Sequence, residues 1–349
     1  MPDKRRILIT GVSRFLGLRL AKALESEDRV GALVGVDLEE PPIDVKGLEF
    51  VRVDIRNPLI ARVLEATRVD TIVHTNIMSA PGRFGGRLQM KENNVIGTMQ
   101  LLAAAQRAGR VSKVVMKSSP AVYGYGPGQP SIIPEDHAAR PMDLSGYARD
   151  CADAETYARD FGRRRPDVDL LILRIQTVIG ATVSTSMTDY LALPVVPTIL
   201  GYDPRLQFLH EEDAVAALRQ AALEDVSGIF NVAADGALYL SKAIRLLGRV
   251  QAPMILPAAR PVAMLLRGLN LIDFPMDQLK LLTHGRVVDT RRAKEMLGFD
   301  PRFTSEEALL DYRDHRDGDS PAEQSWHPAW ERELFEYLRR KAESSRQTV

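Results

Sequence analysis

Short unbroken apolar runs alternate along this chain with longer stretches in which apolar residues recur at helical spacing. The first run is Ile7, Leu8 and Ile9. Residues 16–25 follow with Leu16, Leu20, Ala23 and Leu24 on one side and Arg19, Lys22 and Glu25 elsewhere, which predicts an amphipathic helix. Runs at 30–36, 48–53, 70–75 and 113–118 predict further strands. Residues 55–66, with Pro58 in the first turn, and residues 93–109 predict helices between them. Strands that alternate with helices and lack hairpin signals lie in a parallel sheet covered on both faces. The expected class is α/β, a Rossmann-like doubly wound sheet with a smaller, partly helical C-terminal lobe.

The connection between the first run and the first helix carries candidate chemistry. Gly11 allows a sharp turn, Gly17 lets the helix lie close to the sheet, and the helix's first N–H groups point at an anion. With elements in this order the usual anion is a dinucleotide pyrophosphate. The second run ends in Asp37, about 20 residues past the turn, where a carboxylate accepts from a ribose diol. Arg14 stands where such turns usually have their middle glycine. Its Cβ is expected to narrow the turn; alternatively its guanidinium reaches a 2′-phosphate and favours NADP. Asp37 opposes that alternative, because a carboxylate beside a 2′-phosphate is repulsive, so NAD is the expected cofactor.

The 349 residues allow one large α/β domain with a second lobe. Lys+Arg and Asp+Glu both number 46, which gives no reason to expect nucleic acid or an anionic membrane as partner. The single cysteine, Cys151, excludes an internal disulfide and a CxxC metal site and fits a reducing compartment. With no signal-peptide h-region and no bilayer-spanning apolar run, the cytoplasm is the expected location. His74, His210 and His327 are scattered, and no metal site is expected. The apolar stretch 254–274 reads as helix packing under a cleft in preference to a lipophilic substrate pocket. Residues 311–325 read as a polar linker, and 327–343 as an amphipathic helix with Trp330, Leu334, Tyr337 and Leu338 on one stripe. That helix is expected to dock on the same chain or on the mate in a homodimer. Membrane-surface contact through Arg339, Arg340 and Lys341 is the less favoured reading.

Ten segments carry a resemblance that spans residues 5–312: TGVSRFLG (10–17), Asp37, VDIRNP (53–58), NNVIGTMQLL (93–102), KSSPAVYGYGP (117–127), Tyr147, ILR (172–174), FLHEEDAVAAL (208–218), GIFNVA (228–233) and VVDTRRAKEMLGF (287–299). On these motifs the chain resembles the extended short-chain dehydrogenases/reductases, the NAD-dependent epimerase/dehydratase group that includes UDP-galactose 4-epimerases. In general character it is similar to epimerase-like proteins of high-GC actinobacteria. The resemblance implies a dinucleotide domain over 1–180, to which 205–235 returns, and a substrate lobe from 181–204 and 236–312, followed by linker and helix over 313–349. It implies cofactor contacts from Gly11, Arg14, Phe15, Leu16, Gly17, Asp37, Asp54, Ile55, Asn94 and Tyr147. Asp54 reads equally well as an adenine contact and as a plain helix N-cap.

In that family hydride moves between nicotinamide C4 and a carbinol carbon while a tyrosinate removes the hydroxyl proton. The phenol pKa must then fall from about 10 toward the working pH. Tyr147 matches the tyrosine, and Ser119, just before VYG, matches the hydroxyl that polarises the substrate oxygen. The family's lysine, one helical turn after the tyrosine, is here Cys151, and a neutral thiol supplies neither the cation nor its donors. Arg149 and Arg163 are close in sequence, but Arg149, two residues on, faces away around the helix. Cys151 itself reads as a small core residue rather than a nucleophile. The substrate side departs as well. Thr177 stands where the family's epimerases have an asparagine, and Leu206 where they have an arginine, with Arg205 displaced by one. Arg292 is the remaining candidate for a diphosphate. The expected function is an NAD(P)-dependent epimerase/dehydratase-type oxidoreductase acting on a nucleotide sugar or another secondary alcohol, with a compromised or rewired base. The alternative is a catalytically silent dinucleotide-binding sensor or scaffold.

Overall fold

A computed structural model describes residues 4–79, 86–126, 128–138, 144–258, 261–262, 264 and 276–317. Its centre is a parallel sheet of β1 (Arg5–Thr10), β2 (Val30–Asp37), β3 (Leu48–Arg52), β4 (Thr71–His74), β5 (Lys113–Ser118), β6 (Asp169–Ile175) and a seventh strand, Gly228–Val232. Read across, the order is seventh strand, β6, β5, β4, β1, β2, β3. The direction of winding reverses between β1 and β4, and a crevice opens there at the C-terminal ends of the strands.

Strand alternation divides the apolar residues between two cores. Ile7 and Ile9 of β1 join one core with Leu20 and Leu24 of α1 (Phe15–Leu24) and with Ala217 and Leu218 of the helix Glu211–Leu223. Leu8 faces the other core, shared with Leu64 of α2 (Ile60–Thr67), Leu101 and Ala105 of the helix Thr98–Arg107, and Ala154 and Phe161 of the helix Gly146–Arg164. A sheet apolar on both faces is what the unbroken runs require. A third cluster, around Tyr190, Phe208, Leu282 and Leu309, fills the smaller lobe, and three two-stranded sheets accompany the central one among the described residues.

Three local expectations change. Residues 55–59 form a turn in which Asn57 Oδ1 accepts the Leu59 amide at 3.0 Å, so Pro58 precedes α2 instead of sitting in its first turn. The helix expected over 93–109 starts as a π-helical segment, Glu92–Gly97, and ends at Arg107. Residues 311–317 are not linker but complete a helix, Ser305–Asp317, which buries Ala308, Leu309 and Tyr312 in the lobe. The stripe over 327–343 lies outside the described residues, as do most of 254–274 and the loop 80–85. No helix among the described residues is long and apolar enough to cross a membrane.

Candidate active site

The turn from β1 into α1 shows which of its positions need glycine. Gly11 has φ +75°, and a Cβ there would stand 3.0 Å from the Asn76 Cα; at Gly17 a Cβ would meet the Gly11 carbonyl oxygen at 2.2 Å. Arg14, by contrast, has φ −94° and donates its amide to the Gly11 carbonyl at 3.0 Å, a conformation open to any residue. Its side chain is exposed and, with Phe15 and Leu16, lines a cavity of about 340 Å³ at the crevice. Asp37, at the end of β2, is buried. Its Oδ2 accepts the Ser13 amide at 3.1 Å and the Ser13 hydroxyl, and its Oδ1 accepts the Leu38 amide at 2.8 Å.

Asp54 is neither free nor the N-cap of α2. Arg56 holds it through Nε and Nη2 at 2.6–3.0 Å, and its Oδ1 caps the Arg56 amide, which keeps the carboxyl below the usual range. Ile55 is buried and packs where a Cβ on Gly97 would come within 2.7 Å of its Cδ1. Asn94 is fully buried with its amide committed to the main chain: Oδ1 accepts the Met78 N–H at 2.7 Å and Nδ2 donates to the Met78 carbonyl at 2.8 Å. It pins the segment after β4, whose Ile77 and Met78 line the cavity, and does not line it itself.

Ser119 and Tyr147 meet on the cavity wall, from the end of β5 and the first turn of the helix Gly146–Arg164. The Ser119 hydroxyl and the Cys151 thiol both act on the phenol, the first favouring its ionised form and the second opposing it. Ser119 Oγ in addition accepts the Ala121 amide at 3.2 Å, capping a short 3₁₀ turn. Burial, reinforced by Cys151, pushes the Tyr147 phenol well above its ordinary value, while Ser119 and Arg286 act in the opposite direction. The Cys151 side chain has no solvent exposure, and burial drives its thiol up to about 12; it is neutral and sheltered.

Two cations that the sequence reading missed face this cavity. Lys117, on β5, donates to the Ile77 carbonyl at 2.9 Å, and burial lowers its ammonium to about 8. The lysine that follows the apolar VVM of KVVMKS, two residues ahead of Ser119, was the available signal. Arg286 is only 7% exposed, lies over the Tyr125 ring at 4.7 Å, and has no hydrogen-bond partner for Nε or Nη1 among the described residues. It comes from a segment more than a hundred residues away from Tyr147, so no local pattern announces it.

Thr177 lines the cavity; Arg205 and Arg292 do not. Arg205 donates to the Ser131 carbonyl at 2.6 Å and lines a separate cavity of about 200 Å³. The Arg292 guanidinium lies over the Phe230 ring at 5.8 Å. His74 bridges the Thr10 and Thr98 hydroxyls at 2.7 and 2.9 Å and is held neutral by burial, with a pKa of about 3; His210 stacks on Phe303 and contacts Asp311. His327 lies outside the described residues.

Residues 7–233 match the model of the NAD dependent epimerase/dehydratase family. An uncharacterized protein of Mycobacterium tuberculosis is 43% identical over 310 residues, covering 88% of this chain and 82% of its own length. The structure of MoeE5 in complex with UDP-glucose and NAD superposes with a TM-score of 0.67 at 25% identity, over 89% of this chain and 98% of that one. The UDP-glucose 4-epimerase of Thermotoga maritima, solved with UDP-glucose, has a TM-score of 0.68 at 18% identity over 89% of this chain and 98% of its own, a likeness of fold alone. A seven-stranded doubly wound sheet, a glycine turn at its switch point and a family match over residues 7–233 agree: the chain belongs to the NAD-dependent epimerase/dehydratase family.

Proposed function

We propose that this protein is an NAD-dependent oxidoreductase of the epimerase/dehydratase type that acts on the secondary hydroxyl of a nucleotide sugar or a related alcohol. One observation carries the reading: Ser119 and Tyr147 share the wall of a cavity that also takes in Arg14 to Gly17 of the turn between β1 and α1. A silent binder has no use for that pair.

The turn fits a dinucleotide, because positions 11 and 17 leave no room for a Cβ and the N-terminus of α1 offers its N–H groups to an anion. Gly11, Phe15, Leu16 and Gly17 would hold the pyrophosphate, with Arg14 at the rim. Asp37, fixed beside the turn by Ser13 and Leu38, favours a free ribose diol and repels a 2′-phosphate, which argues for NAD over NADP. When bound, NAD supplies a hydride acceptor. Within the protein, Ser119 orients the substrate oxygen, and Tyr147 as phenolate takes the hydroxyl proton and later returns it. Arg286 replaces the expected Arg205 and Arg292 as the group for a substrate anion. Its unpartnered Nε and Nη1 form a buried charge that a phosphate or carboxylate would satisfy.

Titration calorimetry with NADH and NADPH, followed by turnover of a panel of UDP-sugars by the parent and Tyr147→Phe, tests the reading. NADH should bind more tightly than NADPH. Absence of binding for both at millimolar concentration rejects an NAD-dependent enzyme. Binding with no turnover, or with turnover that Tyr147→Phe leaves intact, returns the protein to the silent reading or to another base.

A further inference from the structure

Resting on the assignment of Tyr147 as the proton-transfer group, we propose that Lys117 is the cation of this reaction centre, supplied from the end of β5 instead of from the helix turn after Tyr147. The usual place for that cation is closed, since Cys151, which opposes ionisation of the phenol, is a buried thiol and can never be positive. Lys117 stands two residues before Ser119, and side chains two apart on an extended chain share a side. Both line the cavity together with Tyr147. One ammonium donor goes to the Ile77 carbonyl, and two remain for the cavity among the described residues. The lysine's field is felt by Cys151, one helical turn from the phenol.

The charged and titratable groups facing Lys117 are Arg14 from the turn before α1, His74 from β4, Cys151 and Tyr147 from the helix Gly146–Arg164, and Arg286 across the cavity. His74 and Cys151 are neutral at pH 7, and no carboxylate is in the set, so the ammonium charge is not cancelled locally. Two groups here can become its counter-charge, the phenolate and the Cys151 thiolate, and burial keeps that thiol neutral up to about 12.

This arrangement leaves a kinetic signature that a lysine serving only as a tether for Ile77 would not. Ammonium plus phenolate carries the same net charge as amine plus phenol, so the reactive pair is a minor form of the state reached when one proton leaves. That state forms as pH passes about 8, where Lys117 titrates, and the rate should rise to a plateau there. Without the lysine only Ser119 and Arg286 oppose the burial that raises the phenol's pKa, and the rate should keep climbing with pH.

The decisive experiment needs neither cofactor nor substrate, so it stands or falls separately from the NADH titration. A fluorinated tyrosine, chosen so that its phenol ionises while Lys117 is still charged, is installed at position 147 and its 19F resonance followed against pH. The parent, Lys117→Met and Lys117→Arg backgrounds are compared, with Lys117→Gln in reserve should the methionine variant fail to fold. Removing the charge should raise the phenol midpoint by about 1 pH unit or more, a tenfold loss of acidity, and arginine should recover most of it. The same midpoint in all backgrounds overturns the proposal and makes Lys117 a tether. With a turnover substrate in hand, Lys117→Met should lower the rate at pH 7 by about tenfold or more and abolish the plateau. A plateau near pH 8 that survives Lys117→Met also overturns it.

Discussion

Two polar clusters meet at the end of β5, one on each side of its last residues, and they treat their hydrogen bonds in opposite ways. Ser118 turns inward. Its hydroxyl donates to Glu155 at 2.6 Å, Arg174 grips the same carboxylate through Nε and Nη2 at 3.0 and 2.7 Å, and Arg174 Nη1 donates to the Tyr123 hydroxyl at 2.8 Å. Tyr123 in turn donates to Asn231 Oδ1 at 2.7 Å. Lys117 and Ser119 turn toward the cavity, where the lysine retains donors and Arg286 faces them with two unpartnered nitrogens. The inward cluster closes on itself and holds β5, β6, the seventh strand and the helix Gly146–Arg164 together; the outward cluster is left open to a ligand. Charge content alone would not separate the two, but the location of unsatisfied donors does.

The sharpest way to break this contrast is at Arg174. Arg174→Met leaves Glu155, 1% exposed, as a buried carboxylate that has lost its buried guanidinium and keeps only the exposed Arg159. Loss of one member of a buried pair costs about 3–5 kcal/mol. Urea unfolding should show a drop of that order, and a loss below about 1 kcal/mol would mean that Arg159, the second cation on Glu155, carries the network.

Tyr147→Phe tests the open side. The proton-transfer role predicts a fall in turnover of about 100- to 10,000-fold. Stability should change by no more than about 1 kcal/mol, since the phenol's polar partners are a serine and a thiol and not a buried charge. If unfolding shifts as far as it does for Arg174→Met, the phenol belongs to the inward cluster.

Arg286→Met sharpens the comparison in between. Removing a buried guanidinium with unsatisfied nitrogens should leave the unliganded protein as stable or more so, because its desolvation is uncompensated there. Binding of a UDP-sugar to the NAD-loaded protein should weaken by about 10- to 100-fold if the guanidinium receives the substrate anion. A variant that loses stability while keeping its affinity would show that stacking on Tyr125 is the role of this side chain.

The same contrast explains what the sequence disclosed. Features set by local backbone geometry were legible: the unbroken runs became β1 to β5, and Gly11 and Gly17 occupy positions where a Cβ would collide. Pairing of Ser119 with Tyr147 was legible because both sit in short, recognisable segments. Roles decided by a partner distant in the chain were not. Asn94 reads as a cofactor contact, yet the Met78 main chain takes it up, and Asp54, which reads equally as an adenine contact or a helix N-cap, is claimed by its near neighbour Arg56. Tyr123, Arg174 and Asn231 come from three family-like motifs, VYG, ILR and GIFNVA, and all three serve the inward cluster. A motif match there reports on folding, not on chemistry. Arg149 and Arg163 were considered as stand-ins for the absent lysine because they lie near Tyr147 along the helix. Lys117 comes from β5, and the packing of the helix Gly146–Arg164 beside that strand, not nearness along the chain, brings it to the same cavity as Tyr147.

The smallest expected effect is at Arg14, where the open cluster reaches the cofactor turn. The backbone there does not need glycine: φ is −94°, and the amide already bonds the Gly11 carbonyl. Arg14→Gly therefore relieves no strain, and the added freedom of the unfolded chain costs only a few tenths of a kcal/mol at this helix N-cap. What changes is the side chain at the rim of the cavity. If the side chain only narrows the approach to the turn, NADH affinity should rise by a few-fold at most and NADPH affinity should rise in parallel, since neither phosphate contact is lost. If the guanidinium recognises a 2′-phosphate, NADPH affinity should fall by about tenfold while NADH is unaffected. Calorimetric titration of both nucleotides against the parent and Arg14→Gly distinguishes these outcomes. A selective loss of NADPH would place Arg14 with Lys117 and Arg286 among the cations reserved for ligand, and would overturn the preference for NAD that Asp37 supports.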